Sequence, residues 1–127
     1  NMQKEPSYNN INQEILTYFK NKINQLHKAG FYKIIIDPGF GFGKTIEHNY
    51  KILNNLKIFK SLEIPILIGT SRKSMIYNLL NVTPQDALNG TSITNTIALQ
   101  NGANILRVHD VKEAVECIKI ITFAKKY

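Results

Sequence analysis

The sequence predicts an α/β fold in which short parallel strands alternate with helices. Three observations carry this. Apolar β-branched runs end abruptly at polar tips in 33–37, 66–68 and 104–108. Between them lie stretches with apolar residues at helical spacing, and glycines, prolines and capping residues mark the joints. Strands separated by helices of this length form βα units, and the right-handed crossover rule then gathers the strand ends on one side.

Residues 1–8 are polar, contain Pro6 and read as a loop. From 9 to 28, Ile11, Ile15, Leu16, Phe19, Ile23 and Leu26 mark a helix, and Gly30 supplies its left-handed stop. The strand over 33–37 follows. Its Ile34, Ile35 and Ile36 form the kind of run that needs both faces covered, and Pro38 ends it by removing a backbone donor. Thr45 can cap a helix whose face is Ile46, Tyr50, Leu53 and Leu56. Pro65 opens the strand over 66–68, and a short helix through Met75, Ile76, Leu79 and Leu80 comes next. Thr83, Pro84 and Asp86 start another short helix, broken near Asn89 and Gly90, before a helical stretch over 91–100 that stops at Gly102. After the strand over 104–108, Asp110 and Glu113 have capping-box spacing for a final helix from Val111 to about Lys125.

The chain has 127 residues, 43% hydrophobic and 20% charged, which suits one globular domain and excludes a disordered chain. No run approaches a membrane span and no signal segment opens the chain. A lone Cys117 allows no internal disulfide, so the expected location is a reducing cytoplasm, with Cys117 itself a small hydrophobe on the last helix. The net charge of +7 is spread over every segment without interleaved aromatics, so nucleic acid is not the expected partner. A small phosphorylated anion fits that charge equally well.

The strand tips concentrate the candidate chemistry: Asp37, Ser71, Arg72, Lys73, Ser74, Arg107, His109 and Asp110. Gly39, Gly41 and Gly43 alternate with Phe40 and Phe42 in a loop that can turn tightly and still present a ring. A P-loop is excluded because its first glycine would fall on Pro38, and a dinucleotide fingerprint because its third would fall on Ile46. Arg107 and His109, two apart on a strand, point one way and can hold an oxyanion; alternatively Arg107 pairs with Asp37 and His109 caps the last helix. Lys73 and Ser74 open a helix, where free N–H groups favour an anion, unless they form only a solvated cap. No spacing suits zinc, and Ser71 has no neighbouring base to make it a nucleophile.

Three stretches, D-P-G-F-G-F-G-K at 37–44, G-T-S-R-K-S at 69–74 and R-V-H-D-V at 107–111, together resemble dihydropteroate synthase, in that family's order and spacing. The resemblance implies a (β/α)8 TIM barrel that joins 6-hydroxymethyl-7,8-dihydropterin diphosphate to p-aminobenzoate, releasing diphosphate, in folate biosynthesis. It implies that Asp37, Lys73 and Arg107 bind the pterin, that Phe42, Lys73 and Ser74 bind p-aminobenzoate, and that Arg107 and His109 bind diphosphate. Lys73, Arg107 and His109 would then carry catalysis. It also implies a magnesium ion held by an early-strand ligand absent from this sequence, a homodimer at full length, and a sulfonamide target. Since a full barrel takes roughly 250 residues and eight strands, the chain is expected to be its carboxyl-terminal part over 1–127, with about three parallel strands, inactive alone and prone to associate. The pterin-binding domain of a folate-dependent methyltransferase is the alternative within the fold; the Ser-Arg-Lys-Ser and Arg-Val-His-Asp stretches argue against it. A non-catalytic half-barrel that binds anions or a partner chain is the alternative outside enzymes.

Overall fold

The computed structural model describes residues 8–41 and 43–127. Among these residues are five α-helices, α1 (Tyr8–Lys28), α2 (Ile46–Asn54), α3 (Ser74–Leu80), α4 (Leu88–Gln100) and α5 (Val111–Ala124), and two strands, β1 (Leu67–Ile68) and β2 (Ile105–Leu106). Two 3-10 turns, Leu56–Leu62 and Pro84–Asp86, complete the order. The strands pair in parallel, Leu67 with Ile105 and Ile68 with Leu106. Ile36 adds a parallel bridge to Ile66 on the other side of β1. Three extended segments therefore lie side by side, separated in sequence by helices, as expected for βα units.

Their outer face meets the helices in a dry core. Ile36, Ile66 and Ile68 are buried there with Ile52, Leu53, Leu56, Phe59, Met75 and Ile76. Phe59 meets Phe19 of α1 edge to face, with ring centroids 5.5 Å apart, so the first helix is anchored by an aromatic pair as well as by Leu16.

The inner face is different. Register carries Asp37 beside Leu67 and Ile105 on the side away from the helices. On the same side Ile35 is 55% exposed. The isoleucine run therefore does not have both faces covered: its helix side is packed, and no described element lies over the other. The run is also shorter as a strand than 33–37. It closes one bridge, with Ile36 N donating to Pro65 O at 3.0 Å and Leu67 N donating to Ile36 O at 2.8 Å. Pro38 has no donor to extend the ladder, and Asp37 Oδ1 accepts Gly39 N at 2.9 Å, turning the chain away.

The second 3-10 turn and α4 correct the expected break at Asn89–Gly90. Pro84–Asp86 is a single turn, and α4 then runs through Gly90 without interruption. Gly90 serves a contact rather than a break: a Cβ there would run into Ile76 Cγ2 and stand 3.0 Å from Leu80 Cδ1. Glycine lets α3 and α4 touch. Helix α2 ends at Asn54, and Leu56, expected on its face, belongs to the following 3-10 turn. Ladder pairing in the third segment covers Ile105–Leu106 rather than 104–108, because the chain bends at His109 to enter α5.

Candidate active site

Each strand tip is fixed by its own set of hydrogen bonds. Thr45 caps α2, its Oγ1 accepting His48 N at 3.0 Å, and so anchors the far end of the glycine-rich loop. Asn49, buried in α2, reaches back with Oδ1 to accept Gly41 N at 2.9 Å, while its Nδ2 donates to Thr45 O at 3.0 Å. Sequence reasoning missed Asn49; a buried polar residue on an otherwise apolar helix face was the available signal. Phe42 lies outside the described residues.

At the tip of β1, Thr70 is buried and shares a 2.8 Å hydrogen bond with Thr94 of α4. Arg72 sits in the left-handed region, φ 54°, with its N donating to Thr91 Oγ1 at 3.0 Å. That turn aims its guanidinium outward, where Nε and Nη2 donate to Asp110 Oδ2 and Oδ1 at 2.9 and 3.1 Å. Nη1 donates to Pro84 O and Gln85 O at 2.7 and 3.0 Å. One side chain thus ties three segments together. It also corrects the expected capping box: Asp110 precedes α5 without a side-chain cap, because a bidentate arginine holds its carboxylate more strongly than a backbone N–H would. That pairing and its charge hold Asp110 below the usual carboxylate range and raise Arg72.

The cavity between the tips of β1 and β2 has a volume of about 370 Å³ and is lined by Gly69, Ser71, Lys73, Arg107, Val108 and His109. Lys73, Arg107 and His109 are thereby brought together from two strand tips. Val108 lines the same cavity instead of facing away, since the ladder stops at Leu106 and strict alternation stops with it. A Cβ on Gly69 would lie 3.6 Å from the Arg107 Cβ, in ordinary contact with its stem. Ser74 opens α3 directly after Lys73 and is not among the lining residues. Asp37 stands on the inner face at the neighbouring strand end, within electrostatic reach of Lys73.

Arg107 makes no ion pair with Asp37 among the described residues. His109 caps no helix; its Nδ1 lies 2.7 Å from Ser71 Oγ, which also accepts His109 N at 3.2 Å. Burial lowers the Lys73 amine, Asp37 opposes that shift, and Arg107 and Lys44 add to it. Its Nζ donates to Phe40 O at 3.3 Å, linking the glycine-rich loop to the cavity. The site thus gathers cationic donors beside one carboxylate, an arrangement suited to an anion.

The sequence model of the family described as "Pterin binding enzyme" matches residues 1–109. The chain belongs to the pterin-binding enzyme family. It is 45% identical to dihydropteroate synthase of Escherichia coli K12, an alignment covering 94% of this chain and 43% of that one. The solved dihydropteroate synthase of Coxiella burnetii, in complex with pteroic acid, superposes with a TM-score of 0.91 at 38% identity, covering 94% of this chain and 46% of that one. The enzyme of Xanthomonas albilineans with 7,8-dihydropteroate superposes with a TM-score of 0.89 at 33% identity, covering 96% and 49%. The chain spans less than half the length of these pterin-binding relatives. Its fold is that of a partial α/β barrel.

Proposed function

We propose that this chain supplies the carboxyl-terminal part of a dihydropteroate synthase site, condensing 6-hydroxymethyl-7,8-dihydropterin diphosphate with p-aminobenzoate. The observation that supports this reading is the shared cavity: Lys73, Arg107 and His109 line one space although β1 and β2 are far apart in sequence. In this reading the pterin ring lies between Asp37, which accepts its N–H groups, and Lys73, which donates to its ring atoms. The diphosphate lies at Arg107 and His109. Phe42 packs on the p-aminobenzoate ring and Ser74 holds its carboxylate.

The aromatic amine attacks the pterin methylene as the carbon–oxygen bond to diphosphate breaks, and the amine proton is lost to solvent. Positive charge builds at the methylene and negative charge on the departing oxygen. Arg107 and His109 stabilise the latter with hydrogen-bond donors aimed at the developing charge. No nucleophilic side chain is required.

The open inner face, with Ile35 55% exposed, suits a chain that meets further strands of a closed barrel. We extend the proposal to a homodimer of the complete enzyme. Among the described residues no group of three or more His, Cys, Asp or Glu side chains could hold a metal ion. We extend the proposal to a magnesium ion whose protein ligand lies on an early strand of the complete enzyme, since this ion takes few protein ligands and completes its shell with phosphates and water. Among the described residues no helix is long and apolar enough to cross a membrane.

Titration calorimetry with the pterin diphosphate tests the proposal. Saturable binding that is lost in Asp37→Ala supports it; binding unchanged in that variant, or none in the parent chain, overturns it. The 127-residue chain alone is expected to form no dihydropteroate from the two substrates, and measurable product would refute that expectation.

A further inference from the structure

Ser71 has no part in the mechanism above, yet it is the most enclosed polar side chain lining the cavity, 6% exposed. Its hydroxyl has one hydrogen and two lone pairs. One lone pair accepts His109 N at 3.2 Å. The same oxygen lies 2.7 Å from His109 Nδ1. Among the described residues Nδ1 is the one side-chain partner of the Ser71 hydroxyl, and a donating Oγ–H there requires Nδ1 to carry the lone pair. A neutral imidazole with its lone pair at Nδ1 carries its proton at Nε2. The opposite tautomer would leave the Ser71 hydrogen without a protein acceptor among the described residues and would turn a lone pair toward an incoming anion.

We propose that Ser71 is a positioning residue that holds His109 in its Nε2-protonated tautomer, so that the outer ring nitrogen donates a hydrogen bond to the diphosphate leaving group. This rests on the dihydropteroate synthase reading for the identity of the anion, and on the Ser71–His109 contact alone for the tautomer. The frame around the pair is tied on both sides. Thr70 is held by Thr94, Arg72 N by Thr91, and Asp110 by the Arg72 guanidinium. The hydroxyl and the ring are thus brought into register by their neighbours on either strand.

Two-bond proton–nitrogen correlation spectra of the 15N-histidine-labelled chain test this, recorded well above the ordinary histidine pKa of about 6.5. His27→Gln and His48→Gln assign the three rings. The expected spectrum shows His109 with an unprotonated Nδ1 and a protonated Nε2. Ser71→Ala should let the two tautomers average, and Ser71→Thr should restore the single form. A protonated Nδ1 or an averaged ring in the parent chain, or an unaltered ring in Ser71→Ala, would overturn the proposal. Calorimetry with inorganic diphosphate supplies the second readout. Ser71→Ala should bind roughly five- to tenfold more weakly, the worth of one hydrogen bond, and Ser71→Thr close to the parent. Equal affinity in Ser71→Ala contradicts the donor role. A fixed tautomer in a chain that binds no diphosphate would instead refute the dihydropteroate synthase reading and leave the Ser71–His109 assignment standing.

Discussion

The two ends of the candidate site are held in different ways. At the tips of β1 and β2, side chains bind one another across long sequence separations: Ser71 to His109, Arg72 to Asp110, and Thr70 to Thr94. At the tip after Asp37 the ties are mostly local, through Gly39 N to Asp37, Gly41 N to Asn49 and the Thr45 cap. The two ends are joined by the 3.3 Å hydrogen bond from Lys73 Nζ to Phe40 O and by Tyr50 Oη donating to Met75 O at 2.8 Å. The difference follows from what each end is proposed to hold. A diphosphate demands donors fixed before charge develops, because reorganising them during the step would raise the barrier. A flat ring tolerates a loop that closes over it.

This contrast can be broken most forcefully at the rigid end. Thr94→Val keeps the volume but removes the partner of a buried hydroxyl, and should cost about 2 kcal/mol in denaturant unfolding, the penalty for an orphaned polar group. A loss near zero would mean the rim is not held as described. Asn49→Ala strikes the loop end. It should cost about 1 kcal/mol, since the Gly41 N–H can turn to water, while weakening pterin binding more than diphosphate binding. Equal loss for both ligands would erase the distinction between the ends.

Smaller effects come from charge. Lys73 has its amine lowered by burial, so it binds fewer protons in the folded than in the unfolded chain between its lowered pKa and the ordinary value of about 10.4. Its penalty on folding is full below that window and fades as pH rises through it. Lys73→Met should therefore raise the midpoint of thermal unfolding slightly at neutral pH and erase this alkaline gain, while abolishing pterin binding. A lower midpoint would show the amine to be a structural anchor. Asp110 works in the opposite sense. Its contribution is present above the ordinary aspartate value of about 3.9 and is lost as pH falls through its lowered pKa. In Asp110→Asn that portion of the acid loss should disappear from a pH series of melting curves; an unchanged series would mean the Arg72 pair adds nothing to stability.

The same contrast explains what could be read from the letters. The first helix, the Gly30 stop and the Thr45 cap depend on neighbours a few residues away, and all were legible. Helix α4 was cut in two because its buried positions include Thr91, Thr94 and Asn95, which carry no apolar period. The capping box at Asp110 was a sound local inference, but the partner that displaced it lies 38 residues away. Ser71 escaped for the same reason, its histidine being 38 residues distant. The covered isoleucine run failed at Ile35, since strand composition reports propensity and not which faces have neighbours. Of the candidate site, the residues of the three stretches were legible as letters, and their division into an end tied across long separations and an end tied locally was not.

A crystal structure of the chain with 6-hydroxymethyl-7,8-dihydropterin diphosphate is the most direct test of that division. The account predicts the ring between Asp37 and Lys73, with the phosphates against Arg107 and His109 and the Ser71–His109 contact unchanged. Phosphates bound away from Arg107 and His109, or a ring placed out of reach of Asp37, would contradict it.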